Sequence, residues 1–572
     1  MRNAGKQNGW GIIVTLLLAG FLICTTQAQT LDAFSPVVNQ LGSGESVVFT
    51  AIPLPDGRVL VGATGLQFTS DADVSYTNLV ILGADGSVDD NFHPCVQNNG
   101  SDFNVIKCAA LQTNGQIIIG GCFNTVDGKT RNCLARLNRD GTLDTTFNPG
   151  IYATSVRAIQ IQPDGAMLIC GTFSYKKTGA AIGPGLVRLN GDGSQDTSFS
   201  VTASGTVFMV ALQNDGQILA GGTFTTFDGE SRTNLVRLNT DGSIDESFQP
   251  VSIVAPSWAG VLGFGGGLLA QPDGKILLGG LFDRANGLVH TNIMRLNSNG
   301  TVDTNFSAQA DSVGCWGLQT LALQADGKIL IADDSYTLDG NPCRLLGRVK
   351  SDGSMDPDFS TNLFYNAFTA CAPYSTTLQP DGKILVGGGF FEMDGVAVAG
   401  IGRLVNTDAA LQWLDYDGTN LLWHRTGTSP EVWRASFDAS TDGTNWIQLG
   451  DGTYVGGGWG LTHVSAATNA IIRARGFVTG GNGNGSSWYV DSLFALPTPK
   501  IILNNGNFGL QNQQFGFDFI ASTGTTVVID TSTNLVDWLP LGTNVLGTAQ
   551  NHFIDQRPPT EACEFYRLRA QP

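Results

Sequence analysis

A unit of roughly 50 residues recurs seven times between residues 30 and 408, and that recurrence limits the chain to a few architectures. Residues 211–248, ALQNDGQILAGGTFTTFDGESRTNLVRLNTDGSIDESF, show it most clearly. An apolar strand runs into an Asn-Asp-Gly turn, and a second strand ends in Gly221, Gly222 and Phe224. A third strand lies at Leu235 to Leu238, followed by an Asp241-Gly242 turn and a short strand ending at Phe248. Asp-Gly between alternating apolar runs is a hairpin signal, because glycine takes the positive φ of a tight turn. Four strands joined by tight turns make one antiparallel sheet, which cannot bury both faces alone. Neighbouring copies must cover each other.

The first-turn glycines are Gly57, Gly115, Gly165, Gly216, Gly274, Gly327 and Gly382, spaced by 50 to 58 residues. Most copies close on GSxDxxF or GTxDxxF, as at Asp144 and Phe147 or Asp245 and Phe248. The seventh lacks this ending. Directly before the first copy stands Thr30-Leu31-Asp32-Ala33-Phe34, which matches TLDTTF at 142–147 one residue short. We read it as the missing outer strand of the last copy, which removes a sheet edge by joining the ends. In the alternative, Ala409 to Leu414 completes the seventh unit and residues 31–34 are a leader.

The elements LQPDGKILVGG at 378–388 and LVRLNTDGSIDESF at 235–248 resemble the delta-60 repeat, a seven-bladed β-propeller family of secreted bacterial proteins. The resemblance covers residues 30–408. It implies a propeller and an exported location, and no catalytic residues. The expected fold is all-β: a seven-bladed β-propeller (29–408) followed by two small β-sandwich-like domains.

Those two modules are read at 409–497 and 498–572, separated by Leu496-Pro497-Thr498-Pro499. The first is rich in tryptophan, including Trp413, Trp423, Trp433, Trp446, Trp459 and Trp488, alternating as a sandwich core does. The second resembles C-terminal modules of exported bacterial surface proteins. Residues 1–28 read as a signal peptide: Arg2 and Lys6, an apolar run from Ile12 to Cys24, then Thr26-Gln27-Ala28. The expectation is a secreted or cell-surface protein with no membrane insertion after cleavage. A formal charge of −18, from 31 basic and 49 acidic residues, argues against a nucleic-acid partner.

Nine cysteines follow residue 28, and Cys122 with Cys133 is the candidate disulfide, on opposite arms of a hairpin around Asp127-Gly128. Cys315 and Cys371 are a second possibility. No cysteine or histidine spacing suits zinc. The recurring Asn-x-Asp-Gly-x-x-Asp, as at Asn138 to Asp144, looks like a Ca²⁺ loop. Arg136, Arg188, Arg237, Arg295 and Arg348 occupy the first ligand position, so an Arg–Asp pair within each unit is expected, with no cofactor; Ca²⁺ is the alternative. Unit six departs furthest, with Asp333 and Asp334 in place of the glycine ending and Trp316 and Tyr336 nearby. These four are the candidate binding patch. The expected function is non-catalytic binding or structure, directed at a protein or glycan partner. The alternative is an extracellular carbohydrate-active enzyme with carboxylates at the propeller mouth.

Overall fold

The computed structural model describes residues 29–571 except 41–45, 71–73, 99–104, 178–179, 182–184, 250, 255–266, 312–316, 334–336, 339–340, 343–344, 360, 362, 365–372, 418, 465, 467–469, 480–485, 496–499, 504–505, 512–513, 522–525, 546–549 and 558–563. The signal segment, Cys315, Cys343, Cys371 and Cys563 therefore lie outside the described residues. Every described element is a strand or a turn.

Each repeat folds into one antiparallel sheet in sequence order. In the second, Val105–Leu111 pairs with Ile117–Cys122, which pairs with Leu134–Leu137. A fourth, outer strand is a single bridge, such as Leu137 to Leu143. The seven first-turn glycines all take φ of 85° to 87°, as the turn chemistry requires. Around Gly165 a Cβ would meet nothing within 4 Å, so only the backbone opposes a side chain there. Gly165→Ala should cost about 1–2 kcal/mol in chemical denaturation; a change below about 0.3 kcal/mol would refute the turn assignment.

The sheets contact one another in cyclic order, and the first strand of every repeat takes part in each junction. These first strands therefore lie nearest the centre. The seventh sheet packs on the first: Leu385 and Ile401 join Val48, Val61 and Phe68 in one cluster. Two buried bonds cross that junction, from Ala51 N to Ser375 Oγ (3.1 Å) and from Thr377 Oγ1 to Ala51 O (2.9 Å).

The chain's beginning does supply the outer strand of the last sheet. Thr30–Leu31 pairs antiparallel with Ile401–Val405, Thr30 opposite Val405 and Leu31 opposite Leu404. The alternative fails because Ala410–Tyr416 pairs instead with Leu421–Gly427.

The expected Arg–Asp pairs are present. Arg136–Asp144, Arg188–Asp196, Arg237–Asp245, Arg295–Asp303 and Arg348–Asp356 meet at 2.7 to 2.8 Å, and Arg403–Asp32 repeats the pair across the closure. Each guanidinium lies 4.6 to 5.0 Å above the closing phenylalanine of its unit. Each also donates to the next sheet, as Arg136 does to Gly191 O at 2.6 Å. One arginine thus ties outer strand, aromatic plug and neighbouring sheet together. In the first repeat Ile81 holds the arginine position, and Asp89 is met by Arg58, the residue just before the second strand.

No disulfide joins Cys122 and Cys133, contrary to the expectation. Asp127 and Gly128 do form the tip, with φ of 47° and 71°. But Cys133 is left-handed (φ 62°) and packs into the core with Ile118 and Leu134, whereas Cys122 pairs with Val105. The Cys133 amide and carbonyl bond Phe123 and Gly121 on either side of Cys122, so facing backbone positions did not by themselves make the bond.

The C-terminal part has two units of two facing sheets each. In the first, Trp423 and Trp459 of one sheet pack on Phe437, Ile472 and Ala474 of the other. The second core is Phe517, Phe519, Val527 and Ile529. The units share a construction. Arg473 bonds Asp438 (2.9 Å) beneath Trp446, and Arg567 bonds Asp530 (3.0 Å) beneath Trp538. In both, a serine hydroxyl two residues after the aspartate, Ser440 or Ser532, accepts a turn amide.

Candidate functional site

Each innermost strand with its start described carries a β-bulge at the same place, between Val48 and Thr50, Ile106 and Cys108, Val156 and Ala158, Val207 and Met209, Leu318 and Thr320, and Pro373 and Ser375. A bulge re-aims the extra residue's side chain. Those residues are Phe49, Lys107, Arg157, Phe208, Gln319 and Tyr374. All but Gln319 are half-buried, with a fully buried strand neighbour on at least one side. The fifth repeat's counterpart, residue 266, is outside the described residues.

The bulge also explains the repeated Gly-Gly. It pushes the first strand's carbonyl onto the second glycine: a Cβ on Gly121 would sit 2.0 Å from Val105 O, on Gly222 2.0 Å from Thr206 O, and on Gly171 2.3 Å from Ser155 O. Repeat six has Asp333 at this position, opposite Leu318. There the first strand enters through Gly317 at φ 66°, which takes over the flexibility that the second strand gave up.

Neighbouring bulge residues interact around the opening. The Phe49 and Tyr374 rings lie 5.2 Å apart at 51°. The Arg157 guanidinium lies 5.2 Å over Phe208. Burial, then the Arg157 charge, hold the Lys107 pKa below the ordinary lysine value. Burial lowers that of Arg157 as well. Two cations from adjacent repeats thus stand between aromatic sectors, in a chain whose net charge is −18.

The other end of the bore is covered. Residues 427–433 cross the far ends of the innermost strands, about five residues or ~16 Å beyond the bulges. Ala325 N donates to Ser429 O (2.8 Å), Asp326 N to Gly427 O (3.1 Å) and Glu431 N to Leu323 O (2.8 Å). Trp433 joins the core cluster of Val210 and Leu212, leaving a cavity of about 30 Å³ beside Leu378 and Val432. The crossing segment is held by Arg425, which bonds Glu431 at 2.7 Å and stacks 4.7 Å over Trp423.

Of the patch expected in repeat six, Asp333 is 2% exposed, one bridge from the bulge at Gln319. Asp334, Trp316 and Tyr336 lie outside the described residues. The Phe49, Lys107, Arg157, Phe208 and Tyr374 set escaped sequence reading, although one signal was there. In the aligned innermost strands this column varies between copies, from Phe49 and Phe208 to Lys107, Arg157, Gln319 and Tyr374.

Residues 112–147, 162–199, 213–248, 271–306, 324–359 and 379–404 match the model of a β-propeller domain of unknown function, DUF5122. These segments are β-propeller repeats. The propeller's first sheet, around Val59, lies outside the matched segments but shares the strand order, turn and bulge of the rest. No curated protein matches the chain. Solved structures similar to it include the extracellular domain of a hybrid two-component system from B. thetaiotaomicron (8% identity, 94% of this chain and 98% of that one, TM-score 0.23). Another is a tetra-tandem repeat in the extending region of a large adhesion protein (11% identity, 78% and 89%, TM-score 0.13). At these scores neither likeness bears on fold or function.

Proposed function

We propose that the chain is an exported, non-catalytic binding protein. Its closed seven-bladed propeller presents one open mouth to a protein or glycan, and the first of two β-sandwich modules covers the other end. The observation that carries this reading is the set of side chains re-aimed at the bulges, a position that varies between copies while the turn glycines and most Arg–Asp pairs recur. Structural repetition accounts for the arginines, aspartates and glycines, but it demands nothing of Phe49, Lys107, Arg157, Phe208 or Tyr374. The first 28 residues support export.

The enzyme reading needs two carboxylates, or a histidine-containing set, within reach of a reacting bond. Among the described bulge residues there is no carboxylate, and the repeated aspartates are engaged with arginine at the outer strands. The Asp oxygens are shared between arginine and turn amides, as at Asp245, so the reading invokes no metal. The test is a glycan array and a secretome capture using the chain from residue 29 to 572, beside a Phe49→Ala/Tyr374→Ala variant. Saturable capture that the double variant loses is expected. Release of reducing ends from any polysaccharide by the purified protein would overturn the non-catalytic reading.

A further inference from the structure

We propose that the first C-terminal unit carries a second binding site, a surface platform on Trp413 for the pyranose rings of a neutral glycan. It lies outside the propeller mouth and stands or falls independently of the reading above. In Ala410–Tyr416 the side chains alternate. Leu414 joins the unit's core and Tyr416 packs on it, so Leu411, Trp413 and Asp415 take the outer face. Trp413 is 47% exposed, whereas Trp423, Trp433 and Trp459 are buried and Arg473 lies 3.8 Å over the half-buried Trp446. Among the described tryptophan side chains of this unit, Trp413 alone is given to solvent.

The indole is braced from behind. Trp413 pairs across the strands with His424, and the two rings stack 4.5 Å apart at 11°. His424 Nε2 bonds Asp415 Oδ2 (3.1 Å), which fixes the imidazole in place. Ala410–Tyr416 is the outermost strand of its sheet, so the second face of the indole looks past the sheet edge. On the other side of the stack, Gly458 and Gly460 stand opposite His424 and Leu422, and neither sets a side chain against it. A rigid aromatic face of this kind matches the C–H face of a pyranose, and Thr426, opposite Leu411 on the same face, adds a hydroxyl. A platform at a sheet edge suits interior units of a glycan chain. Asp415 places a carboxylate beside the stack in a chain of charge −18, which disfavours uronates and nucleic acids. The exposed apolar surface is one indole with Leu411, far below the roughly 800 Å² per partner that a stable protein interface buries.

The experiment is calorimetric titration of residues 29–572 with cellohexaose, laminarihexaose and mannohexaose, and with hexagalacturonate as the charged control. The proteins are the wild type, Trp413→Ala and Phe49→Ala/Tyr374→Ala, with circular dichroism and thermal melting to establish that each is folded. Saturable binding of at least one neutral hexasaccharide is expected, about tenfold or more weaker in Trp413→Ala and unchanged in the mouth variant. If Trp413→Ala does not fold, oxidation of the wild type by N-bromosuccinimide, read by mass spectrometry, carries the same decision. The bound sugar should protect Trp413, and oxidation at an unchanged rate would overturn the proposal. So would the absence of saturable neutral binding, a Trp413→Ala variant that binds like the wild type, or hexagalacturonate bound as tightly as the neutral chains. Loss of the neutral sugar in Phe49→Ala/Tyr374→Ala, with Trp413→Ala unaffected, would place the glycan in the mouth and overturn it as well. A secretome protein lost by Trp413→Ala, with no neutral glycan bound, would make this face a protein-docking surface and have the same effect. None of these failures touches the mouth reading, whose own test turns on the Phe49→Ala/Tyr374→Ala variant.

Discussion

Arg403→Ala should destabilise the protein by about 3–5 kcal/mol, more than the same change at any other repeat arginine. Arg403 is 6% exposed, bonds Asp32 at 2.7 Å, donates to Ala84 O at 2.8 Å and lies 4.7 Å over Phe34. Within other repeats the paired residues are eight positions apart, so chain connectivity keeps the outer strand close even when the pair is broken. At the closure they are 371 positions apart, and only contacts hold Thr30–Leu31 in place. Losing Arg403 strands the Asp32 carboxylate, with Lys383 at 3.5 Å as its remaining cation, and loosens the seam between the last and first blades. Arg188→Ala is the comparison: its pair is more exposed and its strand is covalently tethered, so about 1–2 kcal/mol is expected. Arg403→Ala/Asp32→Ala should recover part of the loss, because no carboxylate is left unpaired. Urea denaturation of the four proteins decides; equal losses at Arg403 and Arg188 would remove the special role of the closure.

Acid is the second expected weakness. The repeat aspartates are held below the ordinary value of 3.8, with Asp144 and Asp196 down to about 2. At Asp144 burial pushes the pKa up, but Thr146 hydroxyl and amide bonds and the Arg136 charge together outweigh it. At Asp196 the Ser198 hydroxyl comes first, burial opposes it, and the Ser198 amide and Arg188 add to the lowering. Asp32, Asp89, Asp245, Asp303 and Asp356 shift the same way. Since the folded state holds these protons less tightly than the unfolded chain, their stabilisation is complete above about pH 4 and drains away as pH falls towards 2. A shift of that size is about 2 kcal/mol for each of Asp144 and Asp196. Asp228 and Asp326, raised by burial, act in the opposite sense but are fewer. The urea midpoint should be nearly flat from pH 7 to 4.5 and drop steeply below 4. An unchanged midpoint at pH 2.5 would contradict the linkage, and Asp196→Asn should make the acid limb shallower.

The pairs, turns and closing strand were legible because each is local or periodic. Arg136 and Asp144 recur at fixed spacing, and TLDAF announces its partner by likeness to TLDTTF. The glycine pair was legible as a signature but not as a cause, since the carbonyl that forbids a side chain at Gly121 belongs to Val105 in a bulged strand. The expected Cys122–Cys133 disulfide is not formed, and the left-handed turn of the chain at Cys133 is a feature residue counting cannot see. The likeness of the two C-terminal units lies in the sequence at Asp438, Ser440 and Trp446 and at Asp530, Ser532 and Trp538. Only the fold brings Arg473 and Arg567 beneath those tryptophans.

By itself the sequence determined seven all-β units, their turns and the pairing that seals each outer strand, because these depend on neighbours within about fifty residues. The tertiary structure alone decided which residues surround the opening and that residues 427–433 cover its far end. Both outcomes depend on where separate strands meet in space. A side chain re-aimed by a bulge, or a segment laid across strands a hundred residues earlier, leaves no period along the chain.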